Sequence, residues 1–314
     1  MLSIIITSKD EPKTIAKAIK CIVDRKYSGI IGDFELITVI SGEETKKAAS
    51  VEMQKHKDVK WTLLTDEYKG KPYALNKALG VAKGSQLLLT DGDVYFEQGA
   101  VGLLQKKMVT NSQIGGVTGR AMSSEDKSTM WKYFGYLLSD GAHHKRMSAL
   151  TDAEGYSKIF VKKSLKFFPL SGYIALIKNY KGLSIPEDCL IDDAYISYWI
   201  LNKGEKIAYE PEAKVFVKYP GDLVDWMSQK IRSVGGYVQL WKYGVVTTET
   251  KVRNFWKELE YFWFPIKYAS SPKELIWSLV LYPLRLWMWI KIYWERKVLK
   301  KDFSQTWVPI QSTK

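Results

Sequence analysis

Cysteine and histidine are scarce in this 314-residue chain: Cys21 and Cys189, and His56, His143 and His144. Two cysteines exclude a disulfide framework and any Cys-rich zinc module. Three histidines leave almost nothing for a His-based metal site. His143 and His144, being adjacent, do not share a face of a helix or strand, and all three read as ordinary surface or core histidines. Glycine (22) and proline (10) are modest and show no repeat, which excludes collagen-like, disordered and low-complexity classes. At the N-terminus, Met1-Leu-Ser-Ile-Ile-Ile-Thr-Ser-Lys-Asp meets a charge too soon for a signal peptide. The start of the chain is therefore expected to stay in a reducing cytoplasm.

What is present is apolar mass and positive charge. Hydrophobic residues make up 46%, enough for a sizeable core, and the length suits about two domains. Lys and Arg number 47 against 34 Asp and Glu, a balance of +13. That excess calls for an anionic partner: nucleic acid, a membrane surface or a phosphorylated substrate. It is concentrated near the C-terminus, where residues 251–301 hold eleven Lys or Arg against four Glu. Eight of the twelve Trp lie from Trp241 onward. Cations interleaved with Trp and Tyr suit either an interfacial membrane segment or a platform for single-stranded nucleic acid.

The first part alternates between strand and helix patterns. Leu2–Thr7, Phe34–Ile40, Trp61–Leu64 and Gln86–Thr90 read as strands. Apolar Ile15, Ala18, Ile19, Ile22 and Val23 fall at helical spacing. Ala48–Lys55 is a second helix, and Pro72–Lys83 a third, with Pro in its first turn. The alternation predicts an α/β fold with a doubly wound, mostly parallel sheet flanked by helices. Ligands of such sheets bind at the carboxyl ends of the strands.

Acidic pairs stand at those ends. The strand Gln86–Thr90 runs into Asp91-Gly92-Asp93, and two carboxylates so spaced can converge on a hard cation such as Mg²⁺ or Mn²⁺. An Asp-Gly turn explains the same residues. Further on, Pro186-Glu-Asp-Cys-Leu-Ile-Asp-Asp-Ala-Tyr places Asp192 and Asp193 before the apolar helix pattern Ala194–Leu201. They can serve as helix-start acids or as a general base beside a phosphate-binding metal. Gln229 and Arg232, three apart on one helix face, precede Gly235-Gly236, and Arg can fork onto a diphosphate.

In this order the motifs resemble family 2 glycosyltransferases of the GT-A fold, over roughly residues 2–240. Ile5-Ile-Thr-Ser-Lys-Asp-Glu-Pro-Lys-Thr-Ile looks like that family's opening strand and turn, with Ser8 and Glu11 at its nucleoside-binding positions. Gly70-Lys71-Pro-Tyr-Ala-Leu-Asn76 is similar to its Gly-Lys helix start, which puts Lys71 near the donor. Asp91-Gly-Asp93 matches its metal-binding Asp-x-Asp. Ser171-Gly172-Tyr-Ile-Ala-Leu-Ile-Lys resembles the segment lining donor sugar and acceptor. Asp192-Asp193-Ala-Tyr matches the acid pair whose second member is the catalytic base, here Asp193. Gly204-Glu-Lys-Ile-Ala-Tyr-Glu-Pro-Glu-Ala resembles the strand that follows.

The resemblance implies an inverting hexosyltransferase. A UDP- or GDP-sugar would lie with its base near Ser8 and Glu11. Its diphosphate would bridge to Asp91 and Asp93 through Mg²⁺ or Mn²⁺, with Gln229 and Arg232 at the departing group. Two departures bear on specificity. Ser41-Gly42-Glu43 replaces the acidic end of the second strand, leaving base selectivity open. Ser233 follows Arg232 where processive members carry Trp, which points to transfer of one or few sugars.

The domain expectation is 1–240 for the glycosyltransferase and 241–314 for a basic, Trp-rich amphipathic helical membrane-association region. Leu275–Ile290 is short for a spanning helix and carries Arg285 near its middle. On a helical wheel Glu274, Ser278, Arg285 and Arg296 form a polar stripe, and Trp277, Leu281, Leu284 and Met288 an apolar face. That pattern suits a helix in the headgroup plane, with Lys297, Lys300 and Lys301 on anionic lipid. Phe255–Pro265 is a second candidate segment, and a core or oligomer helix is the alternative. Placement on the cytoplasmic side of the cell membrane, peripheral or monotopic, suggests a lipid-linked or glycan acceptor; a homo-oligomer is open. A sugar nucleotidyltransferase would need a Gly-rich signature that Ser8-Lys-Asp-Glu-Pro lacks. A nucleic-acid-binding protein would leave the acidic pairs unexplained, so no nucleic acid is expected. A catalytically inactive membrane scaffold of the same fold would not need Asp91, Asp93 and Asp193.

Overall fold

The structure, a computed structural model, describes residues 1–150, 168–247, 258–259 and 261–299. It divides into two compact units. The first comprises Met1–Ala121 with Pro169–Val217, the second Met122–Phe168 with Lys218–Thr313.

The first unit is built on a sheet of eight strands among the described residues, in the order β3-β2-β1-β4-β7-β6-β8-β5. The strands are β1 (Leu2–Lys9), β2 (Phe34–Ser41), β3 (Lys60–Leu64), β4 (Gln86–Asp91), β5 (Tyr95–Phe96), β6 (Ile114–Ser123), β7 (Ala175–Lys178) and β8 (Lys206–Val217). The first four are parallel. β7 then runs antiparallel to β4, and β6 antiparallel to β7. The fold is therefore the expected helix-flanked α/β type, with an antiparallel half added to the parallel one. Ile4, Ile5 and Ile6 of β1, Leu36 and Ile37 of β2 and Leu87 and Leu88 of β4 are fully or almost fully buried. Consecutive buried residues mean that both faces of these strands are covered, as parallel sheets require.

Helix α1 (Ile15–Val23) buries Ile15, Ala18, Ile19, Ile22 and Val23, as the spacing predicts. After the four-residue α2 (Arg25–Ser28), α3 spans Glu43–Met53 and so starts before the expected Ala48. Gly42, at φ 93, turns the chain out of β2, and Glu43 and Glu44 favour the first turn through the helix dipole. Helix α4 (Lys71–Leu79) ends at Gly80 instead of Lys83. Helix α5 (Ala100–Val109) packs on β8. Helix α7 (Asp192–Asn202) takes Asp192 and Asp193 into its first turn, where sequence placed them just ahead of it.

The second unit contains α6 (Met130–Leu150), α8 (Leu223–Gln239), a short helix Phe264–Tyr268 and a long helix Pro272–Tyr293. Its core joins Tyr133, Phe134 and Leu137 of α6, Trp226 and Ile231 of α8, and Leu281, Met288 and Ile292 of the long helix. That helix runs through Pro283. Its polar stripe turns inward, against expectation. Ser278 is fully buried between Tyr133 Oη (2.7 Å) and the Pro265 carbonyl (2.8 Å). Arg285 pairs with Glu258 at 2.5 Å. Trp277, Leu281, Leu284 and Met288, expected on the outer face, pack in this core. Lys300, Lys301 and part of Phe255–Pro265 lie outside the described residues, as do the side chains of Arg296 and Lys297.

Candidate active site

Chain order reverses at β1, which has β2 on one side and β4 on the other. A crevice at the carboxyl ends of the strands is the expected ligand site at such a point. Register sets Thr7 of β1 beside Asp91 of β4, and Thr7 Oγ1 donates to Asp91 Oδ1 at 2.7 Å. Next on β1, Ser8 Oγ donates to Glu11 Oε2 at 2.7 Å. A Cβ on Gly92 would collide with both Ser8 and Glu11, so the residue between the two aspartates must be glycine. Asp93 follows, and its charge and that of Glu11 both bear on the Tyr95 phenol, which burial, before either charge, pushes up.

Lys71 opens α4 directly after Gly70, whose φ of 103 only glycine adopts without strain. Its ammonium lies 2.7 Å from both oxygens of Asp91 and 3.8 Å from Asp192 Oδ2. Burial opposes that charge, but Asp192, Asp91 and Asp193 outweigh burial and hold the ammonium above the ordinary lysine range. Lys71 thus ties the β4 carboxylate to the start of α7.

Asp193 sits in the first turn of α7. Gly172 N–H donates to its Oδ2 at 3.0 Å and Ala194 N–H to its Oδ1 at 2.8 Å. Burial, then the neighbouring Asp192 charge, pushes the Asp193 carboxyl up to about 6, against the pull of those N–H groups and Lys71. A carboxylate with that affinity for protons is suited to general base work near neutral pH, and a perturbed acid in a cleft marks a functional candidate. Lys71, Leu170, Ser171, Gly172, Asp192 and Asp193 line one pocket in this unit.

The first unit therefore brings together Ser8, Glu11, Lys71, Asp91 and Asp193, with Asp93 two residues beyond Asp91. Gln229 and Arg232 stand on α8 in the second unit, both half-buried, with Lys230 Nζ 3.1 Å from Gln229 Oε1. Sequence reasoning missed Thr7, visible only through strand register. It also missed Asp10 and Tyr68, whose Oη donates to Asp10 Oδ1 at 3.0 Å. Both have left-handed backbones (φ 52 and 63), uncommon away from glycine. A Cβ on Gly42 would fall 2.5 Å from Asp10 Oδ1. Asp10, the residue after β1, thus occupies the space beside the end of β2, where the strand closes on Ser41-Gly42 and the next acid, Glu43, already belongs to α3.

Among the described residues no group of three or more His, Cys, Asp or Glu is placed to enclose a metal ion. Both Asp91 oxygens are engaged by Lys71 and Thr7. This donor set does not suit an all-protein cage. It suits Mg²⁺ or Mn²⁺, which take one or two carboxylates and complete their shell from phosphate and water.

A family model described as Glycosyl transferase family 2 matches residues 3–168. No curated protein matches the chain in sequence. Among solved structures it resembles a mannosyltransferase from Pyrobaculum calidifontis in complex with GDP-Man and Mn²⁺. There the identity is 17%, over 96% of this chain and 88% of that one, at a TM-score of 0.63. It also resembles glucosyl-3-phosphoglycerate synthase from Mycobacterium tuberculosis in complex with Mn²⁺, UDP and phosphoglyceric acid, at 15% identity. That match covers 79% of this chain and 80% of that one, at a TM-score of 0.49. At these identities the likeness is one of fold.

Proposed function

The chain belongs to glycosyl transferase family 2 and is a glycosyltransferase, and on that premise we propose that it moves a hexose, with inversion, from a nucleoside-diphosphate sugar to an acceptor hydroxyl at a membrane surface. The observation that carries the reading is the bridging of Asp91 and Asp192 by Lys71, next to a buried Asp193 with raised proton affinity.

Asp193 is the base. Its two backbone donors fix the carboxylate plane, and it takes the proton of the acceptor oxygen as that oxygen attacks the anomeric carbon. The bond to the diphosphate breaks on the opposite side, which inverts the configuration. Ser8 and Glu11, tied to one another and wedged against Gly92, receive the nucleoside. Asp91, pinned by Lys71 and Thr7, and Asp93 would hold Mg²⁺ or Mn²⁺. When bound, the metal neutralises charge on the leaving diphosphate. Ser233 in place of an aromatic fits transfer of one or few sugars.

Residues 1–240 are taken as the catalytic part and 241–314 as the membrane-associating part, on the cytoplasmic side, which favours a lipid-linked acceptor such as a glycan carried on polyprenyl phosphate, whose sugar hydroxyls supply the proton that Asp193 takes. The structure of the fold-related mannosyltransferase carries GDP-Man and Mn²⁺, which makes a GDP-sugar the first donor to test. Thermal shift against UDP-, GDP- and dTDP-sugars with Mn²⁺ reads donor affinity directly. NMR of the product formed with a polyprenyl-phosphate-linked glycan then reads the anomeric configuration. Inversion supports the proposal; retention, or no stabilisation by any nucleotide sugar, overturns it.

A further inference from the structure

The outer face of the Pro272–Tyr293 helix is a continuous apolar stripe. Ile276, Leu279, Leu286, Trp287, Ile290 and, immediately after the helix, Trp294 are each between 48% and 61% exposed. Steps of three, four or seven residues, with adjacent Leu286 and Trp287 at its two edges and exposed Pro283 filling the one gap, keep the stripe on one side. Phe262 and Trp263 add exposed aromatic surface, and Phe262 packs on Tyr282 at 4.6 Å. Contiguous apolar surface of this kind marks an interaction site. By length and composition alone the helix could cross a membrane, at a mean hydropathy of 1.3.

We infer that this stripe lies in the plane of an anionic bilayer, with the helix one-sided in lipid and not spanning it. The inference rests on the membrane reading above and specifies its face and orientation. The side opposite the stripe is already committed. Leu281, Met288 and Ile292 belong to the core of the second unit. Ser278 is bonded to Tyr133 of α6, and Arg285 to Glu258. A spanning helix would carry α6 into hydrocarbon with it, and α6 holds Asp140, Lys145 and Arg146, each costly there. In the plane, only the stripe needs to leave water, by about 5–10 Å. Exposed Trp287 and Trp294 within the stripe and Trp263 on the preceding segment suit the headgroup level. Exposed Lys267, Lys273 and Lys291 flank the apolar surface and favour anionic lipid. A second copy is a poorer occupant, because a two-fold interface would bring each Lys291 toward the same lysine-bearing face.

The test uses the full chain with vesicles of phosphatidylcholine and phosphatidylglycerol. Expected is pelleting of the wild type that Ile276→Glu/Leu286→Glu/Ile290→Glu weakens at least tenfold, while donor-induced thermal stabilisation is retained. Wild type that pellets with no vesicle overturns the membrane reading itself. A triple variant that pellets like wild type overturns the stripe alone. A wild-type dimer that binds no lipid and becomes monomeric in the triple variant assigns the stripe to self-association and overturns the inference. Orientation is read by nitrobenzoxadiazole probes at Ile276→Cys and Ile290→Cys, in a Cys21→Ser/Cys189→Ala background, with lipids brominated at graded depths. These sites are 14 residues apart, about 21 Å along a helix. Equal depth supports the in-plane orientation; a depth difference approaching that length overturns it.

Discussion

Asp193 Oδ2 accepts the Gly172 N–H at 3.0 Å, and a Cβ added to Gly172 would lie 3.2 Å from that same oxygen. The backbone of the β7-side loop thus both orients the carboxylate and leaves no room for a side chain. Gly172→Ala is expected to push Asp193 by a few tenths of an ångström. Such displacement lowers kcat by roughly tenfold while the donor Kd, measured by calorimetry, stays within about twofold.

The proton affinity of Asp193 sets a pH profile. Burial and Asp192 raise its value to about 6, so the basic form is lost below that pH. kcat/KM is expected to fall tenfold per pH unit below about 6 and to level off above it. Asp193→Asn should reduce kcat by roughly 10²–10⁴-fold with nucleotide binding nearly intact, and turnover at the wild-type rate would remove Asp193 from the base role. The linked stability has the opposite sense. A carboxyl raised in the fold stabilises it as the neutral acid. That contribution is complete below the unfolded value of about 3.9 and lost as pH rises through about 6.

Lys71 should act on the same profile without touching that base's hydrogen bonds. Lys71→Met removes the cation that faces Asp91, Asp192 and Asp193. The carboxylates then repel one another with less compensation. The acid limb of kcat/KM is expected to move to higher pH, and donor affinity to drop because Asp91 loses its partner. An unchanged limb with weakened donor binding would confine Lys71 to the donor.

Much of the first unit was legible because its signals are local. The apolar run of β1, the spacing in α1 and the position of Asp91 at a strand end are each written within a few consecutive residues. The pairing of Asp91 with Lys71 and the placement of Asp193 by Gly172 were approached only through family motifs, since each joins distant segments. Thr7, Asp10 and Tyr68 carry no local signal. In the long helix, periodicity revealed stripes but not which of them packs inward. That choice is made by Tyr133, 145 residues from Ser278, and by Glu258, which a helical wheel drawn on one segment does not contain.

Asp93 should carry the metal dependence of donor binding. Both Asp91 oxygens are occupied by Lys71 and Thr7, so the acid two residues on is the better candidate for a direct bond to Mn²⁺. Titration of the nucleotide sugar with and without Mn²⁺ reads this. Asp93→Ala is expected to abolish the gain in affinity that Mn²⁺ brings and to leave the metal-free affinity close to wild type. Retention of the Mn²⁺ effect would transfer the role to Asp91.

The inward turn of the polar stripe makes a stability prediction. Ser278 Oγ donates to the Pro265 carbonyl at 2.8 Å, so the 2.7 Å contact with Tyr133 is one in which the phenol donates. With Ser278 fully buried, Ser278→Ala strands the buried Tyr133 hydroxyl and removes the donor to the part-buried Pro265 carbonyl, at a cost of about 1–3 kcal/mol. A serine on a solvated stripe would tolerate the change. Tyr133→Phe removes the stranded donor, so the double variant should be less destabilised than the sum of the single ones. The thermal midpoints of the three variants decide it: a Ser278→Ala protein that melts with wild type would place the residue on the outside of the helix.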